Sequence, residues 1–277
     1  ADLRDFNMID PHHLEAYDKQ AVNYNRDVEV FPVLKRILEK ITGTESPYNS
    51  PTDMGVNRAG FGIIDDEVVQ SAAKQEVIRR FFRYQCEYTL GFVDKETVQR
   101  CEMLMEELGV KPTDRKTVEP ARAAAQEAQD TGKGNEGIYC GTAIQLQDGT
   151  IITGKNSPLM HATSSLILNS IKHLADIPDK IHILSPNVIE SILTLKKKIL
   201  SAKSLSLDLE ETLIALSISA ASNPTAYLAM QALKNLKGCE VHMTHIPAAG
   251  DEVGLRCLGV NLTTDPNFSS KSFYEVA

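Results

Sequence analysis

The sequence predicts a fold of the α+β or α/β class, with helices first and then a helix-covered mixed sheet, for three reasons. The 277 residues are enough for about two domains of average size. Up to about residue 136 the pattern is irregular and then helical, whereas strand-like and helical runs alternate after it. A glycine-rich segment, residues 130–137, separates the two patterns. We therefore predict an irregular lead, a small helical bundle and a three-layer α/β/α domain, in the ranges 1–64, 65–136 and 137–277.

The irregular lead contains one amphipathic helix between Pro32, near its first turn, and Gly43, where it ends. Two polar stretches, residues 23–27 and 52–58, have little apolar reason to be ordered. Loops of this kind often carry functional side chains. The alternative, at least as well supported, is that both stretches contact another domain.

The bundle is predicted to contain three helices, at about 66–90, 94–109 and 118–129. In the first of them, acidic and basic residues recur at spacings of three and four, which favours ion pairs along one helix face. We interpret this face as solvated. The residues concerned are Glu76, Arg79, Arg80, Arg83 and Glu87.

The α/β/α domain begins with a predicted hairpin whose turn is Asp148-Gly149, a dipeptide typical of a type I′ turn. A helix, a short strand at 180–184 and a helix capped by Ser185-Pro186 follow. Two more helices precede a strand at 239–246, and a short helix leads to a last strand at 260–264. This order implies a mixed sheet covered by helices on both faces.

Composition excludes several function classes. The net charge of −8 lies mostly in residues 1–136, which argues against a nucleic-acid partner. No apolar run approaches the roughly 20 residues that span a bilayer, and the first residues do not resemble a signal peptide, so no membrane partner and a cytoplasmic location are expected. The five cysteines are not spaced as a disulfide framework or a zinc ribbon.

No metal site is predicted from the histidines. His242 and His245 fall three apart on a predicted strand and so face opposite sides of the sheet. His161 and His173 are separated by roughly 18 Å along one helix. The segment 10–15, with two histidines and two acids, reads more simply as a surface turn. The lysines at 196–198 are interpreted as the wet face of their helix.

The segment from Thr153 to Thr163 resembles the zinc-site helix start of the cytidine-deaminase fold. The Thr-Gly-x-Asn stretch at 153–156 and the His-Ala pair at 161–162 match that pattern. Thr163, however, stands where the acid/base Glu belongs, and residues 185–189 stand where the cysteine pair belongs. The resemblance therefore implies a cytidine-deaminase-like topology and excludes the zinc chemistry. The segment either binds a small polar ligand or, as we favour, only caps the helix.

Five longer stretches lie at residues 7–11, 22–27, 31–36, 50–57 and 153–156. Together they resemble an uncharacterised bacterial family, domain-of-unknown-function number eighteen forty-six. Members of that family are about twice as long as this chain, and their first half resembles a nucleotide-binding α/β domain with a Gly-Lys loop. We therefore expect this chain to be the C-terminal half of the family's full-length protein.

The resemblance implies half of a nucleotide-dependent enzyme of unknown substrate. In that reading, Arg26 or Arg58 neutralises phosphate charge, and Asp27 or Asp53 holds Mg²⁺ or acts as a base. The alternative is a non-catalytic scaffold or small-ligand sensor. The catalytic candidates are Arg26, Asp27 and Asp53, and the substrate-binding candidates are Asn23, Asn25, Thr52, Asn57, Arg58, Lys155, Asn156 and His161.

The same reading predicts the partners. No cofactor is expected in this chain, whereas ATP or another nucleotide with Mg²⁺ is expected for the full-length protein. The expected partners are the absent N-terminal nucleotide-binding domain, further copies of the chain and a small-molecule ligand. Apolar side chains are frequent in residues 1–30, which have no helix or sheet of their own, so this segment is predicted to pack on the absent half or a neighbouring subunit.

Overall fold

The computed structural model describes residues 37, 39–45, 66–202 and 204–270 of the chain. Residues 37 and 39–42 are helical, and Gly43 follows with a φ of 65°, which matches the predicted end of the first helix. Residues 1–36 and 46–65 lie outside the described part, as do the predictions made for them. The chain forms two compact units, 1–115 and 116–277.

In the first unit, helix α1 (Asp66–Thr89) packs against α2 (Lys95–Leu108), and a 3₁₀ turn follows at Pro112–Asp114. Helix α2 has the caps that its sequence predicts. The Asp94 side chain accepts a hydrogen bond from the Thr97 amide, and Gly109 adopts a left-handed conformation with a φ of 63°.

The charged face predicted on α1 is only partly solvated. Glu76 and Arg80 are each 2% exposed, and Arg80 Nε donates to Glu76 Oε1 over 3.1 Å. Burial raises the pKa of the Glu76 carboxyl against the opposing effect of the neighbouring arginines. The predicted solvent exposure is therefore wrong for this pair, whereas Arg83 one turn later has an exposed side chain. Spacing identified the ion pair but not the core packing that covers it.

The second unit contains a four-stranded mixed sheet with the strand order β2-β1-β3-β4. Strand β1 is antiparallel to both neighbours, and β3 and β4 are parallel. The predicted mixed α/β fold is thereby confirmed. The elements in chain order are α3 (Val118–Asp130), β1 (Gly141–Gln145), β2 (Ile151–Lys155), α4 (Ala162–Leu174), α5 (Pro186–Lys198), α6 (Leu209–Ala220), α7 (Pro224–Ala232) with a 3₁₀ turn at Leu233–Leu236, β3 (Glu240–Met243), α8 (Ala249–Leu258) and β4 (Asn261–Thr264).

Two glycines allow helices to approach the sheet from opposite faces. A Cβ on Gly141 would collide with the Ala121 carbonyl oxygen of α3. A Cβ on Gly154, which pairs with the next residue of β1, would come within 2.6 Å of the Ala162 carbonyl oxygen of α4. Helix α3, which the sequence assigned to the bundle over 65–136, thus packs on β1 and β2 and belongs to the second unit.

The hairpin forms where predicted, but with a different turn. Gly149 has a φ of 88°, and Asp148 is not among the described residues with positive φ. The Gly149 amide donates to the Leu146 carbonyl, and the Leu146 amide donates to the Thr150 carbonyl. The connection is therefore a type I turn followed by a left-handed glycine rather than the predicted type I′ turn.

The strand predicted at 180–184 does not form, because this segment consists of turns and irregular backbone between α4 and α5. Ile183 and Leu184 are nevertheless buried and belong to the main core of the unit. Their apolar run reflects burial without strand pairing. Periodicity alone does not distinguish a buried irregular segment from a buried strand.

Among the described residues, none of the helices is both long and apolar enough to cross a bilayer.

Candidate functional site

His161 is the residue before α4 and has an extended backbone with a φ of −66° and a ψ of 161°. Its side chain makes no capping hydrogen bond to that helix. The imidazole Nδ1 instead lies 2.7 Å from Asp251 Oδ2. The interpretation of His161 as a helix cap is therefore wrong for its side chain.

Asp251 is the acceptor around which this site is built. Its carboxylate is 1% exposed, against 27% for the His161 side chain. While Oδ2 faces His161, Oδ1 accepts from the Thr163 hydroxyl at 2.5 Å and from the Leu209 amide at 3.0 Å. Both oxygens are thus committed, which fixes the orientation of the carboxylate and, through it, that of the imidazole ring.

Three helix N-termini converge on this carboxylate. Asp251 lies in the first turn of α8, Leu209 is the first residue of α6, and Thr163 is the second residue of α4. The N-terminal ends of helices carry free amides and a positive partial charge, so the arrangement stabilises a buried anion. Within the described part of the chain, no lysine or arginine donates a hydrogen bond to this carboxylate. The Thr163 hydroxyl serves here as a hydrogen-bond donor.

The surroundings raise the pKa of His161 above its usual 6.5. Burial lowers it, but the hydrogen bond to Asp251 and the charges of Asp251 and Asp208 outweigh that effect. Burial also raises the pKa of the Asp208 carboxyl. Asp208 caps α6 in a reciprocal arrangement with Glu211. The site is consequently acidic on the side of α6 and α8.

A cavity of about 220 Å³ opens beside His161 and Asp251. Its lining among the described residues includes amide, hydroxyl and carboxyl side chains but no lysine or arginine. The Cys140 thiol also lines the cavity, and burial raises its pKa to about 12, so it stays protonated near neutral pH. The other polar lining residues are Asn135, Glu136, Asn156, Ser204, Ser206, Ser269 and Ser270.

The structure separates the three described ligand candidates. Asn156 lines the cavity, but its amide accepts from the Cys140 amide and donates to the Ile138 carbonyl, so it holds the cavity wall. Lys155 pairs across the hairpin with Gly141, on the α3 face, and its Nζ lies 2.5 Å from Glu127 Oε1. Of these three candidates, His161 alone lines the cavity with a polar atom, Nε2, that takes no part in the hydrogen bonds described above. The remaining candidates lie outside the described residues: Asn23, Asn25, Arg26, Asp27, Thr52, Asp53, Asn57 and Arg58.

The sequence analysis also placed the Lys196 side chain wrongly. It is 8% exposed rather than solvated, and its Nζ lies 2.7 Å from the Ser206 carbonyl and 2.7 Å from Glu211 Oε2. Packing of α5 beside α6 buries this one position of the lysine run. Lys196 thereby ties the 206–211 segment, which forms part of the cavity wall, to α5.

Sequence reasoning missed Asp251 altogether. It lies 90 residues from His161, and only the folded sheet brings α8 beside the start of α4. The available signal was an acidic residue in the first turn of a predicted helix, which more often serves as a helix-terminal charge.

The described residues contain no group of three or more His, Cys, Asp or Glu side chains arranged to hold a metal ion. The expectation that residues 137–277 bind no zinc stays a prediction. Where the deaminase pattern requires cysteines, α5 begins with Pro186 after Ser185, and His161 Nδ1 faces a carboxylate.

Comparison with known proteins gives close relatives. The chain is 55% identical over 274 residues to a UPF0371 protein of Clostridium botulinum strain Langeland, with 99% of this chain and 54% of the relative covered. It is 52% identical over 273 residues to a UPF0371 protein of Clostridium tetani, again with 99% and 54% covered. The chain thus spans about half the length of the curated relatives that it matches.

Family models match both parts of the chain. Residues 1–109 match "Domain of unknown function DUF1846, N-terminal", and residues 113–274 match "Domain of unknown function DUF1846, C-terminal". The expectation that this chain is only a C-terminal half, with its function tied to a missing N-terminal domain, is therefore wrong: the N-terminal family model matches within it. The family suggested by the sequence stretches is confirmed, and the chain belongs to the DUF1846 family.

Proposed function

We infer that the second unit is an enzyme unit that binds a small polar molecule in the 220 Å³ cavity, where His161 transfers a proton to or from it. The observation that carries this proposal is the 2.7 Å contact between His161 Nδ1 and the buried Asp251 carboxylate at the cavity wall. A carboxylate in this position holds an imidazole in one tautomer and stabilises its protonated form.

The chemistry follows from the two ring nitrogens. With Nδ1–H directed at Asp251, Nε2 is the atom that accepts or donates the exchangeable proton. The raised pKa favours the protonated form of the imidazole, in which both ring nitrogens carry a proton. His161 therefore suits a general acid, and after donating its proton it serves as the corresponding base.

The nucleophile is not Cys140. Burial, to which the charge of Asp251 adds, raises its pKa to about 12, which leaves a negligible thiolate fraction at neutral pH. A substrate hydroxyl, a substrate amine or water is the partner that fits an acid/base histidine with no activated protein nucleophile beside it.

The cavity lining supports a neutral or positively charged ligand rich in hydroxyl or amino groups. Apart from His161, the described lining offers amide and hydroxyl groups beside the carboxylates of Glu136 and Asp251, and it has no lysine or arginine to neutralise a phosphate. At 220 Å³, the cavity is smaller than the roughly 300–1,000 Å³ of sites for drug-sized ligands. The prediction of a nucleotide with Mg²⁺ for the longer protein is not assigned to this cavity.

We propose the cytidine-deaminase-like topology for the fold of the second unit only, without the deaminase chemistry. Its support is the helix that starts at His161-Ala162 after a hairpin, together with a first strand antiparallel to both neighbours. The irregular backbone at 180–184, where that fold expects a strand, counts against it.

The test is an unbiased search for turnover. Purified chain is incubated with a mixture of small metabolites, and the compounds consumed are followed by mass spectrometry. We expect a neutral or cationic compound to be consumed, and His161→Asn to slow its turnover by about 10²–10⁴-fold. Asp251→Asn should act in the same direction because it removes the acceptor that holds the ring.

His173→Asn is the matched control, since His173 is exposed on the same helix. Turnover that survives His161→Asn would overturn the proposal. Thermal stabilisation by a compound that the wild-type chain does not convert would overturn the acid/base role and leave binding alone.

A further inference from the structure

We propose that a second cavity of this unit, lined by α4, α5 and the segment between them, binds a small aliphatic monocarboxylate whose charged end pairs with Lys172. We call it the α4–α5 cavity. Its volume is about 460 Å³, which lies within the roughly 300–1,000 Å³ typical of small-molecule sites. Among the described residues, none lines both this cavity and the one beside His161, so the inference is independent of the proposed proton transfer.

Most of the wall of the α4–α5 cavity is apolar. On α5, Pro186, Ile189 and Leu193 recur at spacings of three and four, so they lie along one face of that helix. A wall of this kind favours a ligand with an apolar body, because polar groups placed against it lose hydrogen bonds to water without replacement. The other apolar lining residues are Leu159, Met160, Leu168, Ile181, Ile183 and Leu184.

This wall is not fully covered by protein. Ile189 and Leu193 are only half-buried, although they lie on the apolar face of α5, and Leu159 and Ile181 are 39% and 38% exposed. A helix in a folded unit normally buries such a face against its neighbours. An apolar molecule in the cavity would remove this surface from water and supply the missing contacts.

Lys172 supplies the charge that selects the ligand. It lies in the last turn of α4, lines the cavity and is only 9% exposed. Its Nζ donates to the Asp179 carbonyl oxygen over 2.5 Å, whereas no carboxylate of the described residues forms an ion pair with it. A lysine is seldom buried to this degree without a counter-charge, and an ammonium group has three donors. A carboxylate would provide both the opposite charge and a further acceptor.

The remaining polar lining limits the ligand to one negative charge. The exposed Glu190 carboxylate lines the same cavity, which contains no arginine to hold a phosphate through two hydrogen bonds. A phosphate ester or a dicarboxylate would therefore bring more negative charge than Lys172 offsets. A neutral apolar compound would leave Lys172 without a counter-charge. The other polar lining residues are Asn169, whose amide donates to the Thr153 carbonyl, and the exposed His182.

The experiment is titration calorimetry of the full chain with octanoate and, separately, with octanol. The two probes share an apolar chain, and only octanoate carries a charge. We expect saturable binding of octanoate and at least about 10-fold weaker binding of octanol, because only the carboxylate accepts a charged hydrogen bond from Lys172. This comparison uses the wild-type chain alone, so it does not depend on the folding of any variant.

The variant that tests the residue is Lys172→Met, which removes the ammonium group and keeps a flexible apolar stem. We expect it to weaken octanoate binding at least about 10-fold and to leave octanol binding unchanged. Lys198→Met is the matched control, since Lys198 is exposed on α5 and does not line the cavity. Circular dichroism checks that each variant is folded, and Lys172→Gln replaces Lys172→Met if that variant is not.

Three outcomes would overturn the proposal. The first is no saturable binding of octanoate, which is also the result expected if another part of the protein fills the cavity. The second is equal affinity of the wild type for octanoate and octanol, which would mean that the site recognises the apolar chain alone. The third is an octanoate affinity that Lys172→Met or Lys172→Gln leaves unchanged, or that Lys198→Met weakens equally.

Discussion

Two buried aspartates of the second unit, Asp251 and Asp265, each face a histidine, yet their other partners differ. Asp265 follows β4 and accepts from Arg122 through Nε at 3.0 Å and Nη2 at 2.7 Å. His242 Nε2 lies 3.5 Å from the same carboxylate, and His242 is fully buried. Asp251 instead accepts from a hydroxyl, a backbone amide and the partly exposed His161.

The difference in partners distinguishes a carboxylate that joins structural elements from the carboxylate at the proposed site. Burial alone would raise the pKa of Asp265, but the nearby His242 imidazole, together with the hydrogen bonds and the charge of Arg122, lowers it to about 2. This carboxylate joins α3 to the strands β3 and β4 and stays ionised. Apart from His161, Asp251 accepts from a hydroxyl and a backbone amide, which carry no charge. His161 is therefore the hydrogen-bond partner whose protonation Asp251 influences.

The largest expected effect is on stability, from Asp265→Asn. The carboxylate accepts two hydrogen bonds from Arg122, whereas an amide offers one acceptor and turns its NH₂ group toward a donor. We expect the free energy of unfolding to fall by about 3 kcal/mol. This is at the low end for breaking a buried ion pair, because the Arg122 side chain is 46% exposed. Urea unfolding at neutral pH measures it.

Asp251→Asn provides the comparison in the same assay. An asparagine there can still accept from Thr163 and the Leu209 amide, and its NH₂ group can donate to the neutral His161 ring. We expect a loss of about 1 kcal/mol. Equal losses in the two variants would show that the two carboxylates do not differ in this way.

A somewhat smaller effect on the free energy of unfolding is expected at acid pH, where Asp265 becomes protonated. The pKa of Asp265 is about 2 in the folded chain against a usual 3.8. Its stabilising contribution is therefore fully present above about pH 4 and is lost as the pH falls through 2. Between those limits the wild type should lose about 2 kcal/mol more than Asp265→Asn, as measured by urea unfolding at a series of pH values. Parallel pH curves for the two proteins would contradict this.

The smallest effect on stability concerns His161, and its dependence on pH has the opposite sign to that of Asp265. Because the folded pKa lies above 6.5, the stabilising contribution of the ring is fully present below that pH and is lost as the pH rises through the folded pKa. NMR titration of the imidazole should show a midpoint above 6.5 in the wild type and a lower one in Asp251→Asn, where burial remains and the carboxylate is gone. Asp265→Asn is the control, and a midpoint unchanged by Asp251→Asn would disprove the coupling.

Local features of this chain were predictable from its sequence. The hairpin around Asp148 and Gly149 and the end of α2 at Gly109 depend on a few adjacent residues with strong backbone preferences. The start of α7 is similar, because Asn223 caps the helix and Pro224 occupies its first turn. The candidate His161 was also identified locally, from the motif between hairpin and helix.

The partner of His161 was decided only by the tertiary structure, as were the other buried polar contacts. Asp251 reaches His161 across 90 residues, and Asp265 reaches Arg122 across 143, through helix and strand ends that pack together only in the folded unit. The burial of Lys196 depends likewise on where a neighbouring helix happens to lie. Backbone preferences act over a few residues, whereas burial and pairing depend on the whole fold, so the sequence by itself determined the elements and one histidine, and tertiary packing decided what that histidine can do.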